Sequence, residues 1–175
     1  MNLFEAIEKR YSHKENFLPT PVPIEHLEKI AWAGITAPSG VNRQTVRLII
    51  LPDREMIDPI HEITPHGGVS TTPAAIVVLT DNTPQDGMDF QKEDYSAAME
   101  NILLAATALG YGSLWLDYPF FDSERQIATK KLLQIPENYH LWAVVPIGKP
   151  DSPGSRREKL PYEARVSYRN FGGTK

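Results

Sequence analysis

The sequence predicts an α/β or α+β protein in which strands and helices alternate along the chain. Two kinds of segment support this class. Residues 74–80 and 141–148 are continuous apolar runs of strand length, which is the pattern of a buried strand. Residues 91–109 instead place apolar side chains at the i, i+3, i+4, i+7 spacing of a helix. With 175 residues, the chain is expected to form one domain with a sizeable core.

The segments before residue 74 are expected to supply two helices and one further strand. Residues 2–10 have one apolar side and begin near Asn2, a favourable N-cap. Residues 24–35 repeat apolar side chains at helical spacing, and residues 46–51, VRLIIL, have the pattern of a buried strand. The following segment, DREMIDPIHEI, is weakly helical and is expected to be interrupted at Pro59.

The second half is expected to add two helices and two strands. The long helix should end at Gly110, because glycine readily adopts the left-handed turn that closes a helix. A third strand is predicted at residues 112–118, GSLWLDY. A further helix is predicted from Ser123, where SERQ has the capping-box pattern, to about Leu133.

The composition excludes several functional classes. The chain has no cysteine, which excludes disulfides, thiolate metal sites and a cysteine nucleophile. Its net charge of −4 gives no global attraction for nucleic acid or an anionic membrane. The N-terminus has no signal-peptide core, and no run approaches the roughly 18 apolar residues of a membrane span. We therefore expect a cytoplasmic enzyme or binding protein with neither nucleic acid nor membrane as a partner.

Three motifs that could carry chemistry lack the necessary context. The Gly-x-Gly of LGYGSLW follows a helix and has Trp115 at the third glycine position, so it does not match a dinucleotide loop. His61 and His66 in HEITPH are five residues apart with a proline between them, which does not fit a zinc-binding helix. Ser12 and Ser39 lack a nucleophile-elbow context. No metal and no hydrolase chemistry are expected.

Two basic clusters lie near the two ends of the chain. Cations that follow a helix complement its dipole, and exposed charges are usually only solvated, so each cluster alone has a structural explanation. Together, in an acidic protein, they could enclose a phosphate group. KRYSHK supplies Lys9, Arg10, Ser12 and Lys14, and SRREKL supplies Ser155, Arg156, Arg157 and Lys159.

A polar loop, TAPSGVNRQT, precedes the strand at residues 46–51. Pro38, Ser39 and Gly40 would let a backbone approach a ligand closely. Asn42 and Gln44 offer amide groups that both donate and accept hydrogen bonds. Cations for a phosphate and amides for a planar heteroaromatic ring together suit flavin mononucleotide (FMN).

Four blocks of the sequence resemble, in order, the nitroreductase family of FMN-dependent oxidoreductases. They are KRYSHK, APSGVNRQTVRLIIL, AAMENILLAATALGYGSLWLD and VVPIGKPDSPGSRREKLPYEARV. The resemblance implies an α+β, three-layer fold with a central mixed sheet flanked by helices. It also implies an intertwined homodimer with FMN at the subunit interface, in which the tail at residues 150–175 packs on the partner subunit.

The resemblance also implies roles for individual residues. Arg10 and Ser12 would hold the phosphate and ribityl chain, and Lys14 would lie near the ribityl chain or the pyrimidine edge. Asn42 would hydrogen-bond the isoalloxazine ring, and a backbone N–H of residues 114–117 would meet flavin N5. The full expected set of FMN contacts is Arg10, Tyr11, Ser12, Lys14, Pro38, Ser39, Gly40 (these last three from the partner subunit), Asn42, Gln44, Leu114, Trp115, Leu116, Asp117, Arg156, Arg157 and Lys159. Residues 55–72 offer no clear basic residue for flavin O2.

The implied activity is a ping-pong oxidoreductase cycle. NAD(P)H would transfer hydride to flavin N5, and a nitroaromatic, quinone or similar acceptor would then be reduced. The cofactor carries this chemistry, so no catalytic side chain is expected. Tyr118, Phe120 and Phe121 either line the acceptor pocket or pack in the core. The alternatives are a non-catalytic FMN-binding protein that stores or senses flavin, a flavin-processing relative, and a structural domain whose basic clusters are surface charge.

Overall fold

A computed structural model describes residues 1–83 and 87–175. Its longer helices and its strands follow the order expected from the sequence, and a short helix that was not expected, Gly67–Ser70, precedes the second strand. The helices are α1 (Leu3–Lys9), α2 (Ile24–Ile35), α3 (Arg54–Ile63), α4 (Gly67–Ser70), α5 (Gln91–Ala108) and α6 (Ser123–Leu132), and the strands are β1 (Val46–Leu51), β2 (Ala74–Asp81), β3 (Gly112–Ser113) and β4 (Tyr139–Gly148).

The strands form one sheet in the order β1-β2-β4-β3, with helices on both faces. Successive side chains of a strand point to opposite faces, so Ile76 of β2 belongs to a core shared with α2 and α5. Its neighbour Val77 belongs to a second core on the other face, shared with α3 and α4. Leu132 of α6 packs against that second core. The predicted α+β class with a helix-flanked sheet is confirmed.

The four strands pair antiparallel with one another. Leu51 at the end of β1 pairs with Ala75 at the start of β2, because α3 and α4 return the chain to the end of the sheet that it left. The parallel component expected of a mixed sheet is confined, in the described residues, to a bridge between Ser12 and Ser113.

Strand β1 is present as predicted, but it is not buried along its length. It lies at one edge of the sheet, and of its six residues only Leu51 is fully buried. The side chain of Arg47 is exposed and donates to the carbonyls of Gln44 and Val46. An apolar run does not distinguish a central strand from an edge strand, which pairs with another strand along one of its edges only.

Helix α3 continues through Pro59, so the prediction of an interruption there is wrong. Proline removes the N–H that would bond to the carbonyl four residues earlier. That residue, Glu55, is exposed, where water can satisfy its carbonyl. Ile57 and Ile60 are buried on either side of the proline and hold the helix on the sheet.

The third strand is much shorter than predicted. Regular pairing covers two residues, and beyond them a single bridge joins Leu116 to Val144. The chain then turns at Asp117 into a 3₁₀ helix, Tyr118–Phe121. The segment leaves the sheet early because Asp117 has a helical backbone conformation. Its side chain accepts a hydrogen bond from Nε1 of Trp115 and takes no part in strand pairing.

The remaining helices lie where the sequence placed them, with one difference at a cap. Asn2 forms a capping box with Glu5 at the start of α1, and Gly110 follows α5 with a φ of +83°. Helix α6 begins at Ser123, but Asp122 is the cap and accepts from the backbone N–H of Glu124 at 2.9 Å. The carboxylate is the stronger acceptor for the free N–H groups of the first turn. No helix in the described ranges is long and apolar enough to cross a membrane.

Candidate functional site

The two basic clusters meet in one cleft of about 420 Å³, which we call the basic cleft. The chain that follows α1 forms one wall and the C-terminal tail forms the other, as the sequence predicted for these clusters. The residues that line it are Arg10, Tyr11, Ser12, His13, Lys14 and Glu15 from the first segment, and Gly154, Ser155, Arg156, Arg157 and Lys159 from the second.

Backbone pairing brings these distant segments together. The N–H of His13 donates to the carbonyl of Ser113 at 2.9 Å, which fixes the N-terminal segment beside β3. The N–H of Leu18 donates to the carbonyl of Lys149 at 2.8 Å, and that of Asp151 to Asn16 at 3.1 Å. The start of the tail is therefore tied to the N-terminal segment just after that segment's cleft residues, and the tail reaches the cleft a few residues later.

Two side-chain contacts hold the tail once it enters the cleft. Arg156 donates through Nη1 to the carbonyl of Glu8 at 3.0 Å, in the last turn of α1. Gly154 lies on the ring of Tyr11, where a Cβ atom would come within 1.9 Å of a ring carbon. Tyr11, expected to contact a cofactor, is thus also a packing surface for the tail.

The basic cleft carries a surplus of positive charge. Five of its lining side chains are cationic and one, Glu15, is acidic. Among these cations Arg10 forms an ion pair, with its Nε 3.5 Å from Glu100 Oε1, and the described residues provide no ion-pair partner for Lys14, Arg157 or Lys159. A cleft lined by unneutralised cations attracts an anion, and arginine in particular suits the oxygens of a phosphate.

His13 adds a buried polar atom beside the cleft that the sequence analysis did not identify. The residue is 1% exposed, and its Nε2 donates to the carbonyl of Asn16 at 2.9 Å. The tautomer is thereby fixed, because a carbonyl can only accept. Its Nδ1 is buried, with no partner in the described part of the chain, and so is Oγ of Ser113. The charge surplus of the basic cleft fits a site for an anionic ligand. The buried Nδ1 of His13 does not add to that fit, because in this tautomer it can only accept.

The polar loop at residues 37–45, which we call the ring-side loop, lies elsewhere. Pro38, Ser39 and Gln44 line a groove of about 520 Å³ between α2 and β1, here called the apolar groove. Inside the loop, the N–H of Gln44 donates to Oγ of Ser39 at 2.9 Å. The basic cleft and the apolar groove have no lining residue in common. One chain therefore assembles the expected phosphate contacts but keeps the expected ring contacts apart from them.

Residues 114–117 have their side chains engaged in the fold. Leu114 and Leu116 are 5% and 1% exposed and belong to the core. Asp117 accepts hydrogen bonds from the hydroxyl of Tyr95 at 3.1 Å and from Nε1 of Trp115 at 3.0 Å. A contact to flavin from this segment would have to come from the backbone, as expected, and it stays a prediction.

The three aromatic residues considered for an acceptor pocket separate into two groups. Phe120 is 2% exposed and packs in the core, which is the alternative left open for it. Tyr118 and Phe121 are 56% and 70% exposed and remain available to a ligand.

His66, whose motif does not fit a zinc site, lies close enough to Lys14 for the charge of that lysine to act on it. It caps α4, its Nδ1 accepting from the N–H of Gly68 at 3.1 Å. Its ring lies edge-on to Tyr118, with 6.1 Å between centroids. Burial lowers the pKa of His66, and the charges of Lys14 and His61 lower the pKa further.

Comparison with known proteins identifies relatives over most of the chain. The family model described as "Nitroreductase family" matches residues 7–67 and 65–149. Two archaeal proteins are both named "Putative NADH dehydrogenase/NAD(P)H nitroreductase". The one from Methanothermobacter thermautotrophicus is 36% identical over 89% of this chain and 82% of its own. The one from Archaeoglobus fulgidus is 43% identical over 80% and 78%.

A solved structure adds a cofactor to this set of relatives. It is described as "a putative nitroreductase in complex with fmn" and comes from Desulfovibrio desulfuricans. It superposes with a TM-score of 0.81 at 25% identity and covers 95% of this chain and 96% of its own.

We predict that replacing Lys14 with Gln will raise the pKa of His66 toward its ordinary value of 6.5, because a nearby positive charge is removed. NMR titration of the histidine ring protons measures this directly. Since protonated His66 is disfavoured in the folded protein, the free energy of unfolding should fall as the pH drops below 6.5. Lys14→Gln should reduce this fall.

His140 provides the matched control. Burial and the charge of Lys130 lower the pKa of His140, so Lys130→Gln should raise the pKa of His140 and leave that of His66 unchanged. A His66 pKa that is the same with and without Lys14 would contradict the placement of Lys14 beside it.

Proposed function

Given that the chain belongs to the nitroreductase family of oxidoreductases, we propose that it is an FMN-dependent enzyme that oxidises NAD(P)H and reduces nitroaromatic, quinone or similar acceptors. The observation that carries the proposal is the basic cleft, where cations from the two ends of the chain line one cavity with a surplus of positive charge. The FMN bound to the Desulfovibrio desulfuricans relative supports this choice of cofactor.

The basic cleft would bind the phosphate end of FMN. Arg10, Arg157 and Lys159 supply positive charge there, and the hydroxyl of Ser12 lies in the same wall. Hydrogen bonds between a guanidinium and a phosphate are charge-assisted and about twice as strong as neutral ones. Arg156 also holds the tail against α1, because it donates to the carbonyl of Glu8.

The ring-side loop would bind the isoalloxazine end. The side chains of Asn42 and Gln44 are exposed, and neither forms a hydrogen bond with the described residues. They can therefore offer donors and acceptors to a flavin ring. When bound, FMN supplies the hydride chemistry at its N5 atom. The protein holds and orients the cofactor, and no side chain is assigned as an acid or base.

A second copy of the chain would complete the site, because one chain keeps its phosphate contacts and its ring contacts in separate cavities. Apolar side chains on α1 and α2 are exposed in one chain and would become buried in a homodimer. The tail beyond residue 157 is also exposed, apart from Tyr168 and Gly173, and we propose that it packs on the partner subunit. The exposed large apolar side chains of α1 and α2 are Leu3 at 61%, Phe4 at 76%, Ile7 at 43%, Ile24 at 50%, Trp32 at 65% and Ile35 at 57%.

The first test of the function is the visible spectrum of the purified protein. We expect a flavin absorption band that is bleached by NADH or NADPH under anaerobic conditions, and a return of the band when a nitroaromatic or quinone is added. Bound flavin that resists bleaching would contradict the enzyme and favour a storage or sensing protein. Protein that takes up no FMN would contradict both.

The second test concerns the phosphate end. Arg10→Ala and Arg157→Ala should each weaken FMN binding roughly ten- to a hundredfold, since a lost charge-assisted contact costs about 1.5–3 kcal/mol. Quenching of flavin fluorescence on binding measures the affinity. Arg125→Ala is the control, because Arg125 lies on α6 beside Asp122, outside the basic cleft. Equal affinity for wild type and Arg157→Ala would remove that residue from the site.

The third test asks whether two chains share each site. Arg157→Ala damages the phosphate side and Asn42→Ala the ring side, so each homodimer should bind FMN weakly. In a heterodimer of the two variants, shared sites would leave one site fully intact and place both changes in the other. We expect such a heterodimer, isolated by two affinity tags, to bind one FMN per dimer with wild-type affinity. Weak binding throughout the heterodimer would mean that each site belongs to one chain.

A further inference from the structure

The ring-side loop has a strained backbone. Three of its non-glycine residues, Val41, Asn42 and Gln44, have φ values of 45°, 58° and 52°. The left-handed region is unfavourable for such residues, most of all for a β-branched one. Val41 is 68% exposed, so burial of its side chain does not offset the strain. Strain of this kind persists only where surrounding contacts enforce it.

Asp94 makes the contacts that enforce this conformation. It lies in the first turns of α5 and is 1% exposed. One carboxylate oxygen accepts from the N–H of Gly40 at 2.7 Å, and the other accepts from the hydroxyl of Thr45 at 2.6 Å. The two donors flank the strained residues in the chain. A single buried carboxylate thus ties both sides of the turn to a rigid helix.

Phe90 supports the same turn from the residue before α5. A Cβ atom at Gly40 would lie 2.2 Å from the Phe90 ring, so the ring occupies the space that a side chain at Gly40 would need. The guanidinium of Arg43 stands over that ring at 5.6 Å, which is cation–π distance. The glycine is therefore required by packing inside the chain, and not only by the approach of a ligand.

We propose that Asp94 is the residue that positions the ring-side loop for the flavin ring. This inference rests on the proposed FMN function. The carboxylate occupies the donors of Gly40 and Thr45, while the amides of Asn42 and Gln44 stay exposed and unused by the described residues. A loop that is already held in its binding conformation loses less entropy when the ligand arrives. Asp94 borders the apolar groove, but both of its carboxylate oxygens already accept from the loop, so it acts on the ring by fixing the loop.

The proposal predicts a selective loss of binding to the ring. Asp94→Asn removes the charge at nearly constant shape, and Thr45→Val removes one donor and leaves the carboxylate in place. Each should weaken the binding of FMN and of riboflavin, which lacks the phosphate, by the same factor of about ten, as expected for one charge-assisted hydrogen bond. Binding of inorganic phosphate to the basic cleft should be unchanged. Thr45→Ser, which keeps the hydroxyl, should restore wild-type affinity.

Thr72→Val is the matched control for a general loss of stability. The hydroxyl of Thr72 is also buried and accepts from the N–H of Ile147 at 3.0 Å, but it lies outside both cavities. It should lower the midpoint of thermal unfolding and leave both flavin affinities unchanged. Circular dichroism in the visible flavin band adds a second readout, and it should change in Asp94→Asn and Thr45→Val but not in Thr45→Ser or Thr72→Val.

The outcomes separate the inference from the function on which it rests. Wild-type affinity for FMN and riboflavin in both Asp94→Asn and Thr45→Val would overturn the positioning role while leaving FMN binding intact. An equal loss in Thr72→Val would also overturn it, because the effect would then follow stability. Wild-type protein that binds neither flavin would overturn the proposed function and this inference together. If Asp94→Asn does not fold, the Thr45 pair decides the question.

Discussion

Two short backbone pairings at the edge of the sheet determine where the polar ligand site can form. The N-terminal segment joins β3 through Ser12 and Ser113, and the chain after β4 joins it through Phe17 and Pro150. Because β3 pairs with β4, these bridges place both ends of the chain on one sheet edge. The cations near these bridges in the chain then line the two walls of the basic cleft. The charge of the cleft is a consequence of this arrangement, because one segment supplies two of its cations and the other supplies three.

The ring-side loop lies before β1, at the opposite edge of the sheet from β3, and a different set of contacts holds it. The ring-side loop takes its shape from α5 through Asp94 and Phe90, and it opens toward the apolar groove beside β1. One half of the proposed site is thus defined by charge and the other by backbone geometry. One chain keeps these two halves apart, so a second copy would be needed to join them. That copy would also cover the exposed apolar side chains of α1 and α2.

The sequence predicted the elements with local patterns and missed features that depend on distant contacts. The helical spacing before Gly110 and the apolar run at residues 74–80 are local, and both elements were found. Three features were missed: the edge position of β1, the continuity of α3 through Pro59 and the shortness of β3. Each depends on tertiary contacts, which a local sequence pattern does not reveal. The basic residues of the cleft were predictable because their side chains are distinctive and clustered. The contacts of Asp94 were not, because its partners Gly40 and Thr45 lie far away in the chain.

The hydrogen bond from Arg156 to the carbonyl of Glu8 joins two residues that are 148 positions apart in the sequence. Contacts between such distant residues form slowly, because the intervening chain must first be ordered. During synthesis, moreover, the basic cleft is incomplete until residues 154–159, which form one of its walls, have emerged. The tail is exposed and held by few bonds, so it belongs to the part of the structure that opens most easily. A ligand that contacts both walls of the cleft would stabilise the docked tail by mass action. It would thereby protect the tail from proteases that cleave undocked chain segments.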